Sequence, residues 1–228
     1  MFVGCALIFG PPGRLSQEIF NAFYMIEKEF SDVLYSICND KKTVATYWLE
    51  IQLQYSKSSR HYHNLQHLNH LTQQLLPIKH LLQNWPVIVF AIAWHDIIYS
   101  ATSKNNELKS AELAVKRLKA IQLNDENIKD CYDLIIATKA HSLSDNPDTN
   151  YFTDADLSIL GSGADEYLIY TQQIRKEYNI YPTIVYNPGR KKVLQHFLSM
   201  HSIFKTDYFY NLYEKTARNN LQAELSRL

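Results

Sequence analysis

The stretch from Trp85 to Tyr99 is apolar at nearly every position and carries one acidic side chain, Asp96. Asn84-Trp85-Pro86 opens it as a helix start does, with proline in the first turn, where a missing N–H costs nothing. A helix that is apolar all round belongs at the centre of a fold, so amphipathic helices must surround this one. A carboxylate at the end of a buried helix costs several kcal/mol unless it is paired or bound to a cation. His95-Asp96 therefore reads either as a buried His–Asp hydrogen bond or as part of a metal site.

The surrounding helices are legible as apolar positions three and four apart. One amphipathic helix is expected from Leu15 to about Cys38, a second from Thr43 to Tyr55, and a third from His61 to Leu76. The third carries Leu65, Leu68, Leu71 and Leu75 on one stripe and stops at Pro77. Leu108, Ala111, Val115, Leu118 and Ile121 mark another, and one more is expected from Asp125 to Ala140. Asp165–Tyr178, Arg190–Met200 and Asp207–Leu225 complete the set, separated by breaks at Pro182 and Pro188-Gly189. Ser142 to Asn150 is the longest loop signal and suits a mobile lid. Glycines number 6 and prolines 7, few for a turn-rich β fold, and no strand alternation competes. The expected fold is all-α, with residues 1–14 as a poorly ordered leader and 15–228 as one helical domain.

Apolar residues make up 46% and charged residues 20%, with zero formal net charge and no basic block. That balance excludes an evident nucleic-acid or anionic-membrane surface. Cys5, Cys38 and Cys131 form no CxxC and fit free thiols in a reducing compartment. The run from Phe2 to Phe9 is short and broken by Pro11-Pro12, unlike a signal peptide or a membrane span, so a cytoplasmic location is expected. Gly10-Pro11-Pro12-Gly13-Arg14 lacks the spacing of a phosphate-binding loop. Aromatic-rich outer helices, with 16 tyrosines in the chain, would permit a homodimer.

Four of the 9 histidines lie in Arg60-His61-Tyr62-His63-Asn64-Leu65-Gln66-His67 and Trp94-His95-Asp96. On one helix His63 and His67 would share a face, about 6 Å apart along the axis. Imidazoles with carboxylates and no nearby cysteine suit a divalent ion that keeps open positions. A metal site gathered from several helices is the expectation. Glu107 either favours its helix N-terminus or reaches that site. His141 either complements a helix dipole or projects into a pocket. Asp154 and Asp156 precede an apolar run, and helix capping explains one of them more easily than both. Arg175, Arg190 and Arg218 are either solvated surface or a clamp for phosphate.

The ordered set Arg60-His61-Tyr62-His63-Asn64-x-x-His67, Trp94-His95-Asp96-x-x-Tyr99, Asn106-Glu107-x-x-Ser110-Ala111 and Asp154-Ala155-Asp156-Leu157-x-x-Leu160-Gly161 resembles the HD superfamily of metal-dependent phosphohydrolases. The likeness continues through Arg175-x-Glu177-Tyr178, Gly189-Arg190 and Ala217-Arg218-Asn219. It covers the chain from about Leu15 onward. Cyclic nucleotide phosphodiesterases are similar in having Tyr-His-Asn-x-x-His and Ala-Asp-Leu-Ser.

The resemblance implies an HD-type, phosphodiesterase-like bundle with His67, His95, Asp96 and Asp156 as metal ligands and His63 as general acid. A second pattern within the superfamily would make His63 the ligand. Where phosphodiesterases have a further histidine after His-Asp, this chain has Tyr99. The implied reaction is hydrolysis of a phosphoester, of a nucleotide or another small phosphorylated metabolite, by water on a divalent ion (Mn, Mg, Fe, Ni, Co or Zn). Asp96 or Asp156 would also orient that water, Arg60 or Arg190 would offset phosphate charge, and Glu107 and His141 would contact substrate or ligands. The alternatives are a non-catalytic nucleotide-binding or regulatory module on the same scaffold and a purely structural helical adaptor.

Overall fold

The structure, a computed structural model, describes residues 25–228. The expected leader and the start of the helix expected from Leu15 lie outside the described residues. Among the described residues there are ten α-helices, two short 3-10 segments and no strand. The helices are α1 (Met25–Cys38), α2 (Lys41–Tyr55), α3 (Leu65–Leu75), α4 (Trp85–Trp94), α5 (Asn106–Ala120), α6 (Asp125–Ala137), α7 (Pro147–Leu157), α8 (Ala164–Glu177), α9 (Thr183–Ser199) and α10 (Asp207–Leu225). The 3-10 segments, Leu76–Leu81 and Ser158–Gly161, continue α3 and α7. No helix among the described residues is long and apolar enough to cross a membrane.

Helix α4 is the expected central element: every residue from Val87 to Trp94 is buried. Helices α1, α3, α5 and α6 pack around it. Phe30 of α1 meets Phe90 and Trp94 edge-on, with ring centroids 6.0 and 5.4 Å away, and fully burying a ring of this kind contributes about 2–3 kcal/mol. Asn84 caps α4 by accepting from the Val87 N–H. Its other end closes at Trp94, with His95 as the cap residue. The turn that follows it is held by a cation. Arg60 donates to the Asp96 and Ile97 carbonyls, each at 2.7 Å, and to the His63 carbonyl at 3.1 Å. One buried guanidinium thus ties the turn carrying His95 and Asp96 to the segment carrying His63.

Four expectations need correction. The third helix starts at Leu65, so His63 and His67 do not share a helical face. Asn64 is extended and accepts from the Gln66 N–H as N-cap, and the Tyr62 and His63 N–H groups are taken by a carboxylate distant in sequence, Glu177. The loop expected over Ser142–Asn150 is halved, because Asn146 caps α7 and Pro147 begins it. Asp154 and Asp156 are not caps: both lie inside α7. The break expected at Pro188-Gly189 is absent, and α9 runs through it. Pro188 removes the bond to the Ile184 carbonyl, and Ile184 is 83% exposed, so the loss falls on a residue open to solvent.

The second half of the bundle seats α10 on the Ser158–Gly161 turn. A Cβ on Gly161 would lie 2.5 Å from the Tyr213 Cβ, so only glycine admits α10 this closely. That contact fixes the end of α7, which carries Asp156 toward the cap of α4.

Candidate metal centre

His67 leaves the first turn of α3, His95 and Asp96 follow the end of α4, and Asp156 leaves the last turn of α7. The Nε2 atoms of His67 and His95 are 3.0 Å apart. His95 Nε2 is 3.3 Å from Asp96 Oδ2, and His67 Nε2 is 3.9 Å from the same oxygen. Asp156 Oδ1 lies 3.3 Å from His67 Nε2 and 4.0 Å from His95 Nε2. His67, His95 and Asp96 can hold a metal ion, their ligand atoms all lying within 4.8 Å of one another. The donor set fits one. His95 Nδ1 donates to the Ile92 carbonyl at 3.0 Å, which turns its Nε2 inward. Two nitrogens each about 2.1 Å from a common centre, at right angles, stand about 3.0 Å apart.

The electrostatics agree with a place built for positive charge. Burial disfavours charge on His95, but Asp96 beside it, with help from Asp156, pushes its pKa up to about 9. Burial holds His67 below its ordinary value. Burial would raise both aspartates, yet His95 and His63 hold Asp96, and His141 and His67 hold Asp156, well below the usual carboxylate range. Without an ion, a proton on His95 supplies the positive charge that the two carboxylates require.

His63 stands at the edge of this cluster, its Nε2 3.9 Å from Asp96 Oδ2. Its side chain is 20% exposed, whereas those of His67 and His95 are 1% exposed. Its Nδ1 lies 2.6 Å from Glu177 Oε2, and Glu177 Oε1 accepts from the Tyr62 and His63 N–H groups at 2.7 and 2.9 Å. Tyr99 donates to the same Oε2 at 2.8 Å and stacks on the imidazole at 4.3 Å. Burial opposes a charge on His63, but Asp96 and then Glu177 outweigh it and raise its pKa. Burial would raise Glu177 as well, and the His63 contact and the two N–H donors instead hold it at about 2.

His141, in a left-handed conformation (φ 50°), faces Asp156 Oδ2 at 2.9 Å. It therefore joins the cluster through Asp156 rather than as a helix-dipole partner. Glu107 is half-buried in the first turn of α5, and none of the hydrogen bonds or ion pairs described here involves it. Arg60 is buried, lies over the Tyr55 ring, and gives its terminal nitrogens to carbonyls, so it props the site from within. Arg190 is likewise engaged, donating twice to Glu224 at 2.7 and 2.9 Å. The phosphate clamp expected of these two arginines is thus occupied by protein partners. Glu177 and Tyr99 are the residues whose part sequence reasoning did not assign. Glu177 is 114 positions from His63, and the Arg175-x-Glu177-Tyr178 run that marks it in the sequence gives it no partner.

Two cavities flank the cluster. One of 580 Å³ opens against His63 and His141, and one of 320 Å³ lies against His67 and His70. Tyr170 lines both. Comparison with protein-family models, with curated proteins and with solved structures finds no match for this chain.

Proposed function

We propose that this chain is a metal-dependent phosphohydrolase of the HD type that cleaves a phosphoester of a small metabolite. The observation that carries the reading is the convergence of His67, His95 and Asp96 from separate segments, with His63 held beside them by a buried carboxylate. His67, His95, Asp96 and Asp156 would hold the ion. A bound divalent ion supplies Lewis acidity and lowers the pKa of a water to about 7.

The chain's own residues divide the remaining work. Nδ1 of His63 is committed to Glu177, so Nε2 is the atom that hands a proton to the departing alkoxide. A general acid must be protonated near working pH, and the raised pKa of His63 meets that need. Tyr99 and Glu177 together fix the plane and tilt of the ring. His141 holds Asp156 from the far side, keeping Oδ1 turned toward His67. Arg60 sets the distance between the His63 segment and the His95-Asp96 turn.

The test is elemental analysis of the purified chain beside a His67→Ala variant, followed by a panel of phosphomonoesters, nucleotides and cyclic nucleotides with manganese, magnesium, nickel or cobalt. A stoichiometric metal lost in the variant, with metal-dependent release of phosphate or alcohol, supports the reading. Metal binding with ligand retention but no turnover would replace it with a non-catalytic binding module.

A further inference from the structure

Resting on the reading of the site as a phosphohydrolase, we infer that its substrate carries a single phosphate on a flat aromatic body of nucleoside size, which the 580 Å³ cavity beside His63 receives. The cavity borders the cluster, since His63 and His141 line it and lie 3.9 Å from Asp96 and 2.9 Å from Asp156 respectively. Its volume falls within the 300–1,000 Å³ of ordinary small-molecule pockets. The wall is aromatic: Tyr170, Tyr178, Tyr181 and Tyr186 all face it. Tyr178 stacks on Tyr181 with centroids 6.3 Å apart and a 30° tilt, and Tyr186 packs against Tyr178 at 6.1 Å. Faces of this kind bind planar rings, and their phenol groups offer hydrogen bonds to a sugar or a base edge.

Charge sets the number of phosphates. Among the described residues that line the cavity, Arg190 is the one arginine or lysine, and both its Nε and one terminal nitrogen are held by Glu224. Arg175, packed over the Tyr186 ring, donates to the Tyr178 and Tyr181 carbonyls. The charge of Arg190 is thus already balanced by Glu224, and Arg175 is not among the residues that line the cavity. A diphosphate or triphosphate would carry its extra charge into an aromatic chamber without a counter-charge, which is costly. Arg175 instead shapes the wall, because its two bonds pin the turn that carries Tyr178 and Tyr181.

The experiment compares, on the manganese-loaded full chain, a nucleoside 5′-monophosphate, the matching di- and triphosphates, ribose 5-phosphate and an n-alkyl phosphate. Base–aromatic stacking corresponds to about tenfold or more in selectivity. We expect kcat/KM for the nucleoside monophosphate to exceed that for ribose 5-phosphate by at least about this factor, with the di- and triphosphates poorer. Tyr181→Ala should shrink that ratio, and Tyr181→Phe should keep it. Equal rates with and without the base, a preference for polyphosphates, or a preference for the alkyl phosphate would overturn the inference. Calorimetry on His63→Asn reads the same preference as binding. If no ester is hydrolysed but the base still strengthens binding, the pocket assignment stands and the catalytic reading falls. If hydrolysis proceeds without base preference, the reverse holds.

Discussion

Asp154 and Asp156 leave the same helix two residues apart, and a rotation of about 200° between such positions sends them to opposite sides of α7. Asp154 meets fixed donors: the Lys205 and Thr206 N–H groups, the Thr206 hydroxyl and the Lys205 ammonium, all within 3.1 Å. Asp156 meets the imidazoles of His141 and His67. The same division recurs elsewhere. Asp148 accepts from the Gln83 and Asn84 N–H groups, and Glu214 accepts from Ile203, Phe204 and Arg218, whereas Asp96 faces His63, His67 and His95. Backbone donors cannot move or lose their protons, so a carboxylate they satisfy can only anchor chain to chain. Imidazoles can exchange a proton for a metal ion, so carboxylates facing them are the ones able to take part in a site that changes state. The lesson lies in the partners, since burial is common to both groups.

The sharpest way to break this division is to exchange the two aspartates' fates. Asp156→Ala should abolish stoichiometric metal and metal-dependent hydrolysis while leaving the chain folded, as read by elemental analysis beside circular dichroism. If Asp156→Ala keeps its metal, the site side of the comparison is lost. His63→Asn comes next, with kcat expected to fall by about 10²–10⁴-fold, the usual worth of a positioned general acid, while metal content holds. Asp154→Ala should cost about 3 kcal/mol in a denaturant melt, because it strands buried backbone donors and an ammonium group. Retained stability there would deny the anchoring role.

Glu177 sharpens the comparison by belonging to both sides, since it takes two backbone N–H groups and one imidazole. Glu177→Gln keeps the carbonyl acceptor but not the charge. Activity should fall about 10–100-fold, as for partners that orient ligands, with a smaller loss of stability. The smallest effect is a pH dependence. His95 has a folded pKa near 9 against an ordinary 6.5, so the metal-free chain gains stability that is full below pH 6.5 and is lost as pH rises through 9. An ion must displace that proton, so metal affinity should rise over the same window. Melting curves of stripped and loaded protein between pH 6 and 9.5 check both signs.

Much of the scaffold was legible because it rests on local periodicity. The apolar run of α4, the leucine stripe of α3 and the cap at Asn84 are properties of neighbouring residues. His95-Asp96 stood out because a carboxylate at the end of a buried helix is costly without a partner, His67 by its spacing from His63, and Asp156 only through the resemblance. His63 was legible as a residue but not in its setting, since the spacing that places it on a helix with His67 is overridden by the Glu177 contact. Arg60 and Arg190 were legible as charges but not as engaged ones. A guanidinium that faces a phosphate and one that faces Glu224 or a carbonyl have the same letter in the chain.

By itself, the sequence determined an all-helical bundle around α4 and a short inventory of groups capable of gripping a cation. Only the tertiary structure decided which carboxylates anchor and which face the imidazoles, and that Glu177 and Tyr99 hold His63. The physical reason is range: helix periodicity acts over a few residues, whereas the partners of a buried charge come from segments as much as 115 positions away, brought together only by packing.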